Sequence, residues 1–454
     1  MEEKKSSTKK VIIIVIVLLL LIGLILFLIL RSSPSETETA VSIATIWMAD
    51  DTGRNDGQLD WDSVPEYISR ERIGFIRGKT AAAGSVKIRE NLLSETAENT
   101  EITGTLADMI NAEDILMVIG ASGDLPTMYA AMETDFFGIP MLIPYSDGDI
   151  VSDSSAGYTV RMTPTDNNYA DYIGKELLPS GTTDWIFDGL FGGGPLPDDA
   201  VDAAVFFADN FNGHDLAVAI TQRLMDNGID IDHYHPYQGY DLYSGFEDAW
   251  KEDEESLRNI DLVFIIGYDQ DPMYDLGRVT ELWKDIRDPE DQPLFILLAY
   301  APTSMDPKIY EKNNIYVIRQ HLDMFNCPAE IVYHDEAIAY ASGWITGTAI
   351  RRASERQDPE PSGWKLWFKT GDQKRQIHQD YLDLYRNNIR SVLMEMTDNV
   401  PCYGVPSFTS NIEDHTSVEL VRYTSANHAE VLDGSAVFKY IYRMYQYRYG
   451  ITGQ

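Results

Sequence analysis

Short, continuous apolar runs alternate along this chain with longer stretches of helical periodicity. Hydrophobicity that is continuous rather than alternating is typical of parallel strands covered on both faces. The predicted strands are residues 41–47, 114–119, 138–143, 203–208, 261–267, 294–300 and 316–319. One predicted helix ends at residues 106–110, and three others span residues 125–134, 214–227 and 273–286.

The alternation of strand and helix with short connections predicts doubly wound α/β layers. Two such sets occur, one before about residue 163 and one after it, and the length of 454 residues suits two domains or one two-lobed domain. In parallel sheets of this kind, ligands bind at the carboxyl ends of the strands. We therefore expect the strand-to-helix loops to carry the function.

The N-terminus carries an uncharged apolar run at residues 11–30, the length of one helical crossing of a bilayer. It follows four lysines, Lys4, Lys5, Lys9 and Lys10. By the positive-inside rule, residues 1–10 stay in the cytoplasm and the chain beyond the run lies outside. This predicts a single-pass signal anchor followed by a linker at residues 31–40. A cleaved signal peptide is the alternative, although such peptides usually have a shorter apolar region.

The net charge of −36 excludes a nucleic-acid partner, because phosphate binding needs a basic face. The acidity has two interpretations that the sequence leaves open. It is either a solvated acidic surface or the surroundings of a cleft that favours cationic ligands.

Residues 119–128, IGASGDLPTM, have the form of a strand end, a small-residue turn and a helix start. A serine nucleophile would need G-x-S-x-G, but Asp124 replaces the second glycine, and no phosphate-loop pattern occurs. His233 and His235 are interpreted as part of a polar aromatic surface segment rather than as metal ligands. We expect no catalytic residue, metal or cofactor, although acid–base chemistry by Asp124 and Asp147 is a third hypothesis.

The two cysteines, Cys327 and Cys402, form a disulfide or remain separate buried thiols. An extracytoplasmic location permits a disulfide, but sequence does not give the distance between the two residues.

Polar and aromatic residues follow four predicted strands. Hydroxyls and free N–H groups at a helix start suit a carboxylate, whereas carboxylates and aromatic faces suit an ammonium group. An amino acid would need both. Ser122 and Asp124 are also natural helix N-caps, so capping is the simpler alternative for them. The predicted ligand-binding residues are Ser122, Gly123, Asp124, Tyr145, Ser146, Asp147, Phe211, Asn212, Tyr268 and Asp271.

The order and spacing of several segments resemble those of type I periplasmic binding proteins, and in particular the leucine-binding-like proteins of branched-chain amino-acid ABC transporters. Residues 114–166 carry the resemblance, with Tyr158, Arg161, Thr163, Pro164 and Asp166 fitting the family's segment that leads into the hinge. Residues 205–217, 261–271 and 402–423 are similar to later family segments.

The resemblance implies two lobes in residues 41–433 that close on a ligand by hinge motion. Lobe 1 would comprise about residues 41–163 with part of 321–400, lobe 2 about 164–320 with part of 401–433, and residues 434–454 would be a C-terminal extension. In the family, the first two loops hold the ligand carboxylate; here these are Ser122–Asp124 and Tyr145–Asp147. The second-lobe aromatic maps to Phe211 or Asn212, and the acid that holds the ammonium maps to Asp271.

Among the departures from the family pattern, Asp124 and Asp147 lie in loops that are usually rich in Ser and Thr, where they would repel a ligand carboxylate. An amine-bearing or cationic ligand is therefore as compatible as an amino acid. The leading hypothesis is a non-enzymatic, membrane-anchored extracytoplasmic solute-binding protein that serves an ABC permease. The alternative is a ligand-sensing or cell-surface receptor ectodomain with no transport role.

Overall fold

The computed structural model describes most of the chain beyond the predicted linker. The described residues are 39–48, 86–95, 102–120, 124–146, 148, 151, 157–182, 185–186, 190, 201–209, 211–238, 241–267, 272–284, 286–298, 312, 314–328, 334–358, 360–361, 363–406, 408, 418–425 and 428–451. The predicted membrane segment, residues 11–30, lies outside them. Among the described residues, no helix combines the length and apolar character needed to cross a bilayer.

Among the described residues, the first sheet has five parallel strands in the order β2-β1-β3-β4-β5. They are β1 Thr39–Met48, β2 Val86–Glu95, β3 Ile115–Ile119, β4 Met141–Ile143 and β5 Thr159–Arg161.

The second sheet has seven strands in the part of the chain that the structure describes, in the order β12-β11-β10-β9-β8-β6-β7. Strands β6 to β10 are parallel, and β11 and β12 are antiparallel to their neighbours. The strands are β6 Asp202–Ala208, β7 Asp230–Tyr237, β8 Leu262–Ile266, β9 Leu294–Leu298, β10 Ile315–Gln320, β11 Val418–Ser425 and β12 His428–Leu432.

Helices connect the strands and cover the sheets. They are α1 Ile102–Glu113, α2 Asp124–Phe136, α3 Asp166–Tyr172, α4 Phe211–Asp226, α5 Leu242–Glu252, α6 Glu254–Leu257, α7 Pro272–Lys284, α8 His334–Glu355, α9 Gly371–Met394 and α10 Ser435–Arg448. A π-helical turn, Ile173–Leu177, continues α3, and 3₁₀ turns occupy Pro289–Asp291, Met324–Asn326 and Gly363–Leu366.

The central strands β3, β8 and β9 are buried on both faces, which is why they are continuously apolar. In β8, Leu262, Phe264 and Ile266 pack towards α3, α4 and α10. The intervening Val263 and Ile265 pack towards α5 and α7. The prediction of parallel-rich α/β layers from continuous apolar runs is confirmed.

Some elements were not predicted by the hydrophobic pattern. Strand β2 has the mixed sequence VKIRENLLSE, and α9 begins with the polar stretch GDQKRQIHQD. Helix α10, in the expected C-terminal extension, buries Val437, Ile441 and Met444 against the second sheet. The limits of the two lobes stay a prediction.

The connections between the parts that carry the two sheets lie near residues 162–165, 321–328 and 395–408. After β10, the chain returns to the first sheet, where α8 and α9 pack on β3 and β4. The carbonyl of Met162 accepts hydrogen bonds from Gln320 Nε2 at 2.6 Å and from Tyr403 Oη at 2.7 Å. Met162 therefore links the first connection to the third and to the end of β10, where the second connection begins.

A disulfide reinforces this junction. Cys327 and Cys402 are bonded to each other, with their Cα atoms 4.5 Å apart. Of the two alternatives that the sequence left open, the structure has the disulfide rather than two separate thiols. It ties the second connection to the third.

Gly120 directly follows β3 and packs closely against β1. Its φ is +117°, and an added Cβ would lie 2.1 Å from the carbonyl oxygen of Ile46. Both the backbone conformation and the contact with β1 require glycine at this position. The backbone at the end of β3 is thereby held close against β1.

We expect Gly120→Ala to destabilise the protein by at least about 3 kcal/mol, because the new methyl group would displace the backbone of β1. The measurement is urea unfolding with the disulfide intact. Gly104→Ala is the control, since a Cβ there would meet nothing within 4 Å in helix α1. A Gly120→Ala protein as stable as Gly104→Ala would contradict the assignment.

Candidate functional site

Asp124, the first residue of α2, lies at the carboxyl end of the first sheet and is fully buried. Its Oδ1 accepts hydrogen bonds from the Ser146 hydroxyl at 2.5 Å and from the Gly148 N–H at 2.9 Å. Ser146 and Gly148 follow β4, the neighbour of β3 in the sheet. The carboxyl group therefore joins the first two predicted ligand loops to each other.

The backbone at Gly148 packs directly against the Asp124 carboxyl group. A Cβ at Gly148 would lie 2.3 Å from Asp124 Oδ2, so any other residue would displace the Asp124 carboxyl group. Buried Arg161, at the end of β5, donates from its guanidinium to the Gly148 carbonyl at 2.8 Å. The Thr163 hydroxyl donates to the Ser146 carbonyl at 2.9 Å. The loop is thus held from both sides.

Burial dominates the electrostatics of Asp124. Removal from water raises the pKa of its carboxyl group above the ordinary value of 3.8, and Asp215 adds to the rise. The hydrogen bonds from Ser146 and Gly148 and the charge of Arg161 act in the opposite direction. The net direction is upward, so the folded protein holds the proton on Asp124 more tightly than the unfolded chain does.

Helix α4, which follows β6 of the second sheet, begins next to this region. An added Cβ at Gly213 would lie 2.4 Å from the Ala208 carbonyl, so α4 begins close against the end of β6. Helices α2 and α4 contact each other, and Asp215 of α4 is near enough to influence Asp124. The carboxyl ends of β3 and β6 therefore face a shared region.

The structure brings three of the ten predicted ligand-binding residues together. Asp124, Ser146 and the adjacent Tyr145 are all buried, and Tyr145 packs in the core beneath the loop. Phe211 and Asn212 are placed at the start of α4, but their side chains lie outside the described atoms. The other five, Ser122, Gly123, Asp147, Tyr268 and Asp271, lie outside the described residues, so their roles stay predictions.

Sequence reasoning missed three contributors to this region. Gly148 carries no side-chain signal, and Asp215 is one of many acidic residues on the chain. Arg161 belongs to the segment that resembles the family's approach to the hinge. Its position at a strand end, near two loops that contain aspartates, could have identified Arg161 as part of the site.

Within the described part of the chain, no three His, Cys, Asp or Glu side chains are arranged to hold a metal ion. His233 lies on β7, where its Nε2 is 2.9 Å from the Ser256 hydroxyl and its Nδ1 is 3.3 Å from His235 Nε2. These contacts belong to the edge of the second sheet, away from Asp124.

The raised pKa of Asp124 predicts a pH-dependent contribution to stability. Between about pH 3.8 and the pKa in the folded state, the folded protein binds more protons than the unfolded chain, so stability falls as pH rises. Asp124→Asn lacks this titration. We expect the stability of wild type relative to Asp124→Asn to be greatest near pH 4 and to decline at higher pH. Urea unfolding of both proteins from pH 4 to 8 measures the difference; a constant or rising difference would contradict the assignment.

No protein-family model and no curated protein sequence matches this chain. Many solved structures share its fold. A leucine-binding protein from Thermotoga maritima is 13% identical, with a TM-score of 0.53 over 86% of this chain and 97% of that chain. An extracellular ligand-binding receptor from Rhodopseudomonas palustris HaA2 is 11% identical, with a TM-score of 0.56 over 86% and 99%.

A third similar structure is an ABC-transporter solute-binding protein from R. palustris in complex with benzoate. It is 10% identical, with a TM-score of 0.54 over 87% of this chain and 96% of that chain. The three neighbours are named as a leucine-binding protein, an extracellular ligand-binding receptor and a solute-binding protein. The protein has the α/β fold of type I periplasmic binding proteins of the leucine-binding type, the family that its sequence resembles.

Proposed function

We propose that this protein is an extracytoplasmic solute-binding protein for a small amine-bearing ligand, held at the membrane by residues 11–30. The ligand would lie between the strand-end loops of the two sheets, with α2 on one side and α4 on the other. Binding rather than catalysis is the role that suits a region between facing sheet ends.

One observation carries the choice of ligand. The Ser146 hydroxyl and the Gly148 N–H belong to the loop expected to hold a ligand carboxylate, but both donate to Asp124. An internal carboxyl group thus takes the place that the ligand carboxylate would need. Because a donor engaged in a buried hydrogen bond is costly to redirect, these groups do not favour an α-carboxylate.

The neighbouring charges favour an amine. Asp215 is close to Asp124, and two further aspartates, Asp147 and Asp271, are expected in the surrounding loops. Carboxylates stabilise an ammonium group by charge-assisted hydrogen bonds. The whole chain also carries a large negative charge, which raises the local concentration of cations.

The structural neighbours show that this fold accepts different ligands. One is named as a leucine-binding protein and another was solved with benzoate. Leucine and benzoate both carry a carboxylate. The occupied donors beside Asp124 are the reason for proposing a different ligand class here.

The apolar run at residues 11–30 would keep the binding domain close to its membrane partner. A tether raises the effective concentration of the domain at an ABC permease without any new contact. Capture of the ligand followed by transfer to a permease is therefore the proposed role.

We expect amines to bind more tightly than the amino acids from which they differ by a carboxylate. The measurement is isothermal titration calorimetry of the full-length protein in detergent with matched pairs, such as leucine and isopentylamine, or ornithine and putrescine. The expected preference for the amine is at least tenfold, which corresponds to about 1.4 kcal/mol. Tighter binding of the amino acid in every pair would refute the ligand class.

A second prediction concerns Asp124 directly. Asp124→Ala frees the Ser146 hydroxyl and the Gly148 N–H, so affinity for amino acids should rise about tenfold relative to the matched amines. The control is Asp124→Ala combined with Ser146→Ala, which removes one freed donor and should reverse much of the gain. If the two variants had the same selectivity, Ser146 would not be a ligand donor.

A further inference from the structure

An exposed aromatic pair lies between the 3₁₀ turn Gly363–Leu366 and the start of α9. Trp367 is 80% exposed and Phe368 is 93% exposed. Large aromatic side chains at such exposure, next to each other, are unusual on a surface that meets only water. Residues 363–375 are called the aromatic–basic segment below.

The charge of this segment is opposite to that of the chain. It contains Lys365, Lys369, Lys374 and Arg375 but only one acidic residue, Asp372, whereas the whole chain has twice as many acidic as basic residues. The described side chains of Lys365, Lys369, Lys374 and Arg375 are exposed. The segment is therefore a basic and aromatic patch on an acidic protein.

The backbone of the segment is ordered. The Lys369 N–H donates to the Leu366 carbonyl at 3.1 Å. Thr370 and Gln373 form a capping box that starts α9, with reciprocal side-chain to backbone hydrogen bonds of 3.1 and 3.2 Å. The turn thus presents Trp367 and Phe368 to the outside rather than folding them inwards.

Contacts made by α9 place the segment at the amino end of the first sheet. His378 contacts Asp114 at 3.1 Å, and Arg386 donates to the carbonyl of Ile115, the first residue of β3. Arg390 donates to Gly157, just before β5. Strand β1 is parallel to β3, with Ser42 opposite Ile115, so the start of β1 at Thr39 lies at this same end.

A third exposed aromatic side chain lies at this end. Helix α2 starts at the carboxyl end of β3 and returns to the amino end of β4, and its last residue, Phe136, is 81% exposed. Aromatic side chains with neighbouring lysines are typical of the membrane–water interface.

We infer that the aromatic–basic segment is a membrane-contacting surface that rests on anionic lipid headgroups. The inference rests on the membrane anchor of the proposed function. Only residues 31–38 separate that anchor from Thr39, and eight residues span at most roughly 28 Å. The amino end of the first sheet is thus held near the bilayer, where basic residues are attracted to anionic lipids and Trp367 and Phe368 enter the interface.

The test is hydrogen–deuterium exchange of the full-length protein in lipid nanodiscs, compared with detergent. In nanodiscs containing phosphatidylglycerol, amides of residues 363–375 should exchange at least threefold more slowly than in detergent. In nanodiscs of phosphatidylcholine alone, or with Trp367→Ser and Phe368→Ser together, this protection should be lost. Phe325→Ser is the matched control, because Phe325 is fully exposed but follows the carboxyl end of β10.

The outcomes separate this inference from the proposed function. A protein that does not enter nanodiscs would refute the anchor and the inference together. A protein that enters them with no protection of residues 363–375 would overturn the inference alone, and the anchor would stand. Loss of protection in Phe325→Ser would also overturn it, since the effect would not belong to the aromatic–basic segment.

Discussion

The buried carboxyl group of Asp124 is the constraint on which the candidate site depends. A carboxyl group without water needs hydrogen-bond donors, and here Ser146 and Gly148 supply them. The bonds fix the second loop against the start of α2, and Gly148 has no room for a side chain as a result. They also engage two donors that a ligand carboxylate would otherwise use. One interaction thus accounts for the loop geometry and for the proposed ligand class.

Much of the fold could be predicted because its cause is local. A strand buried on both faces must be continuously apolar, and β3, β6, β8 and β9 are so. Helix α9 has a different origin. Its first turns are polar, and only its second half has an apolar face, on which Leu382, Tyr385 and Ile389 are buried. Arg386 and Arg390 also hold it by hydrogen bonds near the starts of distant strands, and such contacts leave no periodic signal in the sequence.

The loops that form the site could be predicted from the sequence, but the hydrogen bonds that join them could not. Asp124 and Ser146 were both expected in strand-end loops, since each follows an apolar run. Their contact depends on β3 and β4 being neighbours in register, with Val118 opposite Met141. The sequence left open whether Asp124 caps α2 or faces a ligand. In the structure its carboxyl group does something else, because it binds the adjacent loop.

The two proposals constrain each other through the direction of the first sheet. The candidate site lies at the carboxyl ends of its strands, whereas the aromatic–basic segment and Thr39 lie at the amino ends. With the segment on the bilayer, the loops around Asp124 face away from the membrane and receive ligand from the surrounding medium. Transfer to a permease would then require the domain to leave the lipid surface on its short tether. An electrostatic contact suits this step, because attraction between exposed charges is weak, screened by salt and readily reversed.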